Sequence, residues 1–118
     1  MDAKKWMETY ARAWETRDPE LAAILFTDDA TYQEDPFDEP MRGREAIRDY
    51  WEAATTYHRE VRVSWGEPIV VGDLLIAEWR TRYARLDTGK PHELRGIMLI
   101  EFEGERAKSL REYWLRRP

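Results

Sequence analysis

The sequence predicts an α+β domain in which helices come first and an antiparallel sheet follows. Two observations carry this. Apolar residues recur at helical spacing as far as about Thr55 and at alternate positions from Tyr57 onward. The second half is also punctuated by Gly72-Asp73, Asp87-Thr88-Gly89-Lys90-Pro91 and Glu103-Gly104-Glu105, turn sequences that join neighbouring strands into hairpins. Helices segregated ahead of a hairpin meander belong to the α+β class rather than to a parallel sheet.

Asp2 can cap a first helix whose apolar stripe is Ala3, Trp6, Met7, Tyr10, Ala13 and Trp14. Asp18 and Pro19 suit the N-cap and first position of a short second helix, with Leu21, Ile24 and Leu25 inward, and Asp28-Asp29 breaks the pattern. Ala30 to Glu34 reads as a short strand, and Pro36 and Pro40 hold the next segment as a loop. A third helix runs from near Gly43 to about Thr55 on Ile47, Tyr50, Trp51 and Ala54. Val61, Val63 and Trp65 then alternate with polar residues, and Pro68 marks a kink before Ile69-Val70-Val71. Long strands follow over Leu74 to Leu86, His92 to Phe102 and Ala107 to Leu115. No linker or repeat interrupts the chain, so residues 1–118 form one domain.

Composition narrows the function. With 42% hydrophobic and 36% charged residues the chain is a globular protein, and six Trp with six Tyr supply both core area and the lining of apolar sites. The absence of cysteine excludes disulfides, thiolate metal sites and a cysteine nucleophile. His58 and His92 have no metal-binding spacing, and no glycine-rich phosphate loop is present, so neither a metal nor another cofactor is expected. A net charge of −5 argues against nucleic-acid binding. No apolar run approaches the ~20 residues that cross a bilayer, and MDAKKWMETY is not a signal peptide, so a cytoplasmic location is expected.

The segments YARAWETRDPELAAILFTDDATYQEDPF, PMRGREAIRDYW and GIMLIEFEGERAKSLREYW together resemble the SnoaL-like branch of the nuclear transport factor 2-like superfamily. The resemblance covers nearly the whole chain. It implies three helices packed in a strongly curved mixed or antiparallel sheet, a cone with a mostly apolar cavity, and a homodimer formed through the sheet. The same fold hosts ketosteroid isomerase, polyketide cyclases, scytalone dehydratase, limonene epoxide hydrolase and plain binding domains, so function rests on the site.

Three residues are candidates for catalysis. Asp35 stands in an Asp-Pro step that, by the resemblance, matches the proton-moving base of ketosteroid isomerase; the same pair also caps turns. The resemblance places Tyr10 where that enzyme keeps its oxyanion-hole tyrosine, and helical spacing makes it equally a core aromatic. Glu112 shares a strand face with Leu110 and Trp114, which the resemblance makes the cavity face. It would there pair with Asp35, or else pair with an arginine across the strands. Met98 occupies the position of the isomerase's second oxyanion donor and has no O–H to offer, which argues against steroid isomerisation.

Trp14, Trp51, Met98, Trp114 and His92 are expected to line the pocket, His58 sits at the helix-to-strand junction, and alternation in the long strand sets Glu78, Arg80 and Arg82 opposite Ala77, Trp79, Thr81 and Tyr83 without saying which face is inward. The expected function is a cofactor-independent isomerase, cyclase or dehydratase acting by acid–base chemistry on a small hydrophobic carbonyl compound. The alternatives are a binding module for a small apolar ligand, or a dimerisation domain with a filled cavity.

Overall fold

The first helix, α1 (Ala3–Thr16), is capped by Asp2, whose side chain accepts the Lys5 N–H at 3.1 Å. It ends at Arg17, which takes the left-handed conformation usual for glycine. The Arg17 guanidinium then donates to the His58 carbonyl at 2.9 Å, tying the helix end to the start of the sheet. In α2 (Pro19–Ala23), Asp18 caps at Leu21 N and Pro19 opens the helix, as the sequence predicts. Ile24 is exposed rather than inward, because the helix stops one residue before it.

The structure, a computed structural model, describes residues 1–117. After α2 come β1 (Phe26–Gln33), β2 (Met41–Arg42), α3 (Arg44–Thr55), β3 (His58–Trp65), β4 (Ile69–Val71), β5 (Leu74–Arg85), β6 (Pro91–Glu103) and β7 (Arg106–Arg117). The first strand begins four residues earlier than its sequence pattern suggests. Asp28 and Asp29 do not break it; they occupy an irregularity in its pairing with β7 and point to solvent. Where the sequence predicts only a loop, the two-residue β2 pairs its Met41 with Tyr32.

All seven strands form one curved sheet in the order β2-β1-β7-β6-β5-β3, with β4 also on β5. It is mixed: β1 runs parallel to β7, and every other pairing is antiparallel. The β1–β7 ladder stops at Gln33↔Arg111, so from Glu112 to Arg117 the last strand is paired only with β6.

The helices lie in the concavity. Trp6 of α1 stacks on Tyr10 and meets the edges of Phe26 and Phe102, while its indole N–H donates to the Leu25 carbonyl. Ile47 and Trp51 bring α3 into the same core. Its first residue, Arg44, is anchored by the Phe26 carbonyl and Asp28. Leu75, Ile100, Phe102 and Leu110 complete the core at one end of the sheet's inner face. The other end is less completely filled.

Candidate functional site

Two inward rows of the β-ladder wall a cavity at that other end. The first row is Ala77–Met98–Glu112 and the second is Trp79–Gly96–Trp114. From the helical side, Tyr10 and Trp14 of α1 and Tyr50 of α3 close it. Gly96 has a steric reason: a Cβ there would stand 2.8 Å from the Trp114 Cβ and would also strike the Tyr113 carbonyl. The cavity holds about 80 Å³. Pockets for drug-sized ligands measure roughly 300–1,000 Å³, so a steroid-sized molecule does not fit. A molecule of a few heavy atoms does.

Two carboxyl side chains reach this cavity, Glu34 and Glu112. Glu112 is 7% exposed, with Met98 as its direct cross-strand neighbour. Among the described residues it has no arginine partner; burial, and secondly the charge of Glu34, push its pKa up to about 8. Glu34 accepts a hydrogen bond from the Tyr50 hydroxyl. Behind this pair, the Tyr10 and Tyr32 hydroxyls share a hydrogen bond of 2.9 Å. All three phenols are raised in pKa, burial being the largest cause, and stay protonated as donors. The arrangement therefore sets one protonated carboxyl and one phenol-held carboxyl group on a shared apolar space.

The expected site residues divide. Tyr10, Glu112, Trp14, Met98 and Trp114 all line the cavity. Asp35 does not. It is exposed, and its side chain accepts the Phe37 N–H at 2.9 Å while its carbonyl accepts the Asp38 N–H at 3.1 Å, so it serves the turn before Pro36. Trp51 lies one layer back, fully buried and stacked on Trp14 at 3.9 Å between ring centroids. His92 faces inward but beyond the cavity, stacked on Tyr83. His58, set aside at the helix junction, does line it, and burial lowers its pKa, with Arg85 and His92 adding to the effect. In β5 the inward face is Ala77, Trp79, Thr81 and Tyr83, and Glu78, Arg80 and Arg82 face out.

Glu34 and Tyr50 are the polar cavity side chains that sequence reasoning missed. A signal for Glu34 existed: Ala30 and Tyr32 are inward, and strand alternation continues to Glu34, sending Asp35 outward. Helical spacing puts Tyr50 in an apolar stripe, which its ring does join, and spacing says nothing of where its hydroxyl points. Among the described residues no three His, Cys, Asp or Glu side chains gather as metal ligands do.

Comparison with known proteins follows the same architecture. A Catenulispora acidiphila protein of ketosteroid isomerase-like fold, crystallised with trimethylamine, superposes with a TM-score of 0.83 at 23% identity, over 92% of this chain and 84% of that one. A Burkholderia pseudomallei NTF2-like protein of unknown function gives 0.81 at 16%, over 98% and 92%. The epoxide hydrolase/cyclase-like enzyme SalBIII, of pyran ring formation in the polyether salinomycin, gives 0.81 at 20%, over 97% and 93%. At these identities the likeness is one of fold. No curated protein matches in sequence. The SnoaL-like domain model matches residues 7–110, nearly the full length, and the chain belongs to the SnoaL-like family.

Proposed function

We propose that the protein is a cofactor-independent enzyme that moves a proton next to the carbonyl group of a small molecule, with Glu34 as base and Glu112 as acid. The observation that carries this is the Glu112 carboxyl: buried, without an arginine partner among the described residues, facing the cavity, and kept protonated near neutral pH beside a second carboxyl group. In the reaction Glu34 takes the proton from the carbon next to the carbonyl. The C–H electron pair passes to the carbonyl oxygen as an enolate, which accepts a hydrogen bond from the Glu112 O–H. The enolate then takes the proton back from Glu34 at a second, conjugated carbon, so that the double bond shifts and both carboxyl groups regain their starting states. Tyr50 orients Glu34 throughout. The volume of the cavity restricts the substrate to a few heavy atoms, below the size of a steroid.

The test is deuterium uptake from heavy water into a panel of short ketones, aldehydes and thioesters, followed by proton NMR. The expected result is exchange at least ~100-fold above buffer for one member, in keeping with general-base catalysis. It should be lost in Glu34→Gln and Glu112→Gln and kept in Asp35→Asn. No acceleration across the panel overturns the reading.

A second reading, binding of a small ammonium ion without chemistry, is favoured by the walls. Trp14, Trp79 and Trp114 with Tyr10 and Tyr50 present aromatic surfaces, two carboxyl side chains reach the space, and among the described residues no Lys or Arg lines it. The Catenulispora relative crystallised with trimethylamine supports this choice of ligand. Calorimetric titration with trimethylammonium chloride, with tert-butanol as the uncharged control, separates the readings. Binding of the cation alone, stronger at pH 9 than at pH 6, supports the ammonium site. Equal behaviour of the two compounds removes it.

A further inference from the structure

Three side-chain polar atoms among the described residues are buried without a hydrogen-bond partner: Nε1 of Trp51, Nε1 of Trp79 and Nδ1 of His92. Their places in the fold separate them. Trp51 lies one layer behind the cavity and His92 beyond it, whereas Trp79 belongs to the cavity wall. An imidazole nitrogen can do without a proton, but an indole nitrogen always carries one. Elsewhere the core pairs its donors: the Trp6 indole with the Leu25 carbonyl, the Tyr50 hydroxyl with Glu34, and the Tyr10 and Tyr32 hydroxyls with each other. Folded proteins leave few buried donors unpaired, and one on a cavity wall looks to whatever fills the cavity.

The ladder sets this donor beside the carboxyl pair. Trp79 stands two residues along β5 from Ala77, whose cross-strand row ends at Glu112. That step is roughly 7 Å. Directly across from Trp79 is Gly96, so no β6 side chain rises between its ring and Trp114. The surroundings decide which acceptor suits the indole. Among the described residues no Lys or Arg lines the space, so a carboxylate or phosphate oxygen would enter beside Glu34 with no counter-ion. A ketone, ester, ether or hydroxyl oxygen carries no such cost. An ammonium ion offers no acceptor and leaves the indole unpaired.

We propose that the Trp79 N–H donates to an uncharged oxygen of the ligand, which is a small carbonyl compound with a second such oxygen a few bonds from its carbonyl. This rests on the reading of the cavity as a carbonyl site, in which Glu112 holds one oxygen while Trp79 holds the other. The single row between Trp79 and Glu112 matches a molecule of a few heavy atoms. Trp79 is then a specificity-determining residue and takes no part in moving the proton.

Methoxyacetone and pentan-2-one test it, because they have equally many heavy atoms and differ only in an ether oxygen that replaces a methylene group. Each is titrated into nitrogen-15-labelled protein and followed by proton–nitrogen correlation NMR. Methoxyacetone is expected to bind about ten-fold more tightly, the order of one buried hydrogen bond. The Trp79 indole signal should move downfield with methoxyacetone and stay in place with pentan-2-one. In Trp79→Phe, which keeps an aromatic ring, the preference should vanish. The indole signal is read in the wild-type protein, so the test survives a variant that fails to fold. Equal affinities, a preference that persists in Trp79→Phe, a stationary indole signal, or no binding of either compound overturns the proposal. These readouts are of binding alone. A preference for methoxyacetone without deuterium uptake keeps the Trp79 donor and removes the proton transfer, and uptake without a preference does the reverse.

Discussion

Tyr50 donates its hydroxyl proton to Glu34, whereas Glu112, on the same cavity, has no hydrogen-bond donor among the described residues. Glu112, raised by burial and by Glu34 itself, has no comparable donor acting on its proton. The two chemically similar groups each stand one residue beyond Gln33↔Arg111, the last pair of the parallel β1–β7 ladder, and so come side by side in different surroundings.

Glu112 should give the protein a pH-dependent stability. Its pKa rises from 4.5 to about 8 on folding, so the folded state holds a proton that the unfolded state releases. That contribution is full below about pH 4.5 and is lost as pH climbs towards 8. Glu112→Gln removes the slope. Urea denaturation at pH 5 and pH 8.5 should show the wild-type protein losing stability relative to the variant by a few kcal/mol, roughly, over that interval. Parallel curves would mean that Glu112 is solvated.

Removal of the Tyr50 hydroxyl should release Glu34. Tyr50→Phe keeps the ring against Tyr32, at 5.5 Å between centroids, and deletes only the donor. A loss of about 1 kcal/mol is expected in denaturant unfolding. In the deuterium-uptake assay the variant should be slower while binding of an inert ligand stays the same.

Tyr10 and Tyr32 should prove coupled. Each hydroxyl is the other's buried partner at 2.9 Å, so either Phe substitution strands one polar group. The double-mutant cycle is expected to return a coupling of about 1 kcal/mol, with the double variant costing less than the sum of the singles. Additive effects would show that a third group satisfies one of the two.

Gly96→Ala should deform the cavity without touching its chemistry. The new Cβ meets the Trp114 Cβ at 2.8 Å, and the strand has to move. A destabilisation of about 1–3 kcal/mol, the usual range for overpacking, should accompany a change in tryptophan emission. Unaltered emission and stability would show that β7 gives way freely at this point.

Much of the fold could be read locally. Both N-caps, the Gly72-Asp73 hairpin and the buried stripe of α1 depend on residues close in sequence, and each is found in place. The parallel pairing of β1 with β7 joins residues some eighty positions apart, and no short pattern announces it. The site was legible in part for the same reason. Tyr10 and Glu112 stand on long, strongly periodic elements, whereas the Asp35-Pro36 dipeptide is a signal shared with ordinary turns, and Asp35 lies one residue past the side chain that alternation turns inward. For β5 the alternation was plain and its sense was not, because arginine stems and tryptophan rings both suit a half-buried face. Contact of Ala77 with Met98 across the ladder decides it.

The half-paired run of β7 from Glu112 to Arg117 bears on how the cavity is reached. This ribbon carries both Glu112 and Trp114 and leans on a single neighbour, so part of its amides have no ladder partner. Such a margin frays at a small fraction of the cost of global unfolding. Amide hydrogens there should exchange with solvent well ahead of those of the central β5–β6 ladder. The molecule would then need no hinged flap: breathing of one strand end would admit and release whatever the two carboxyl groups act upon.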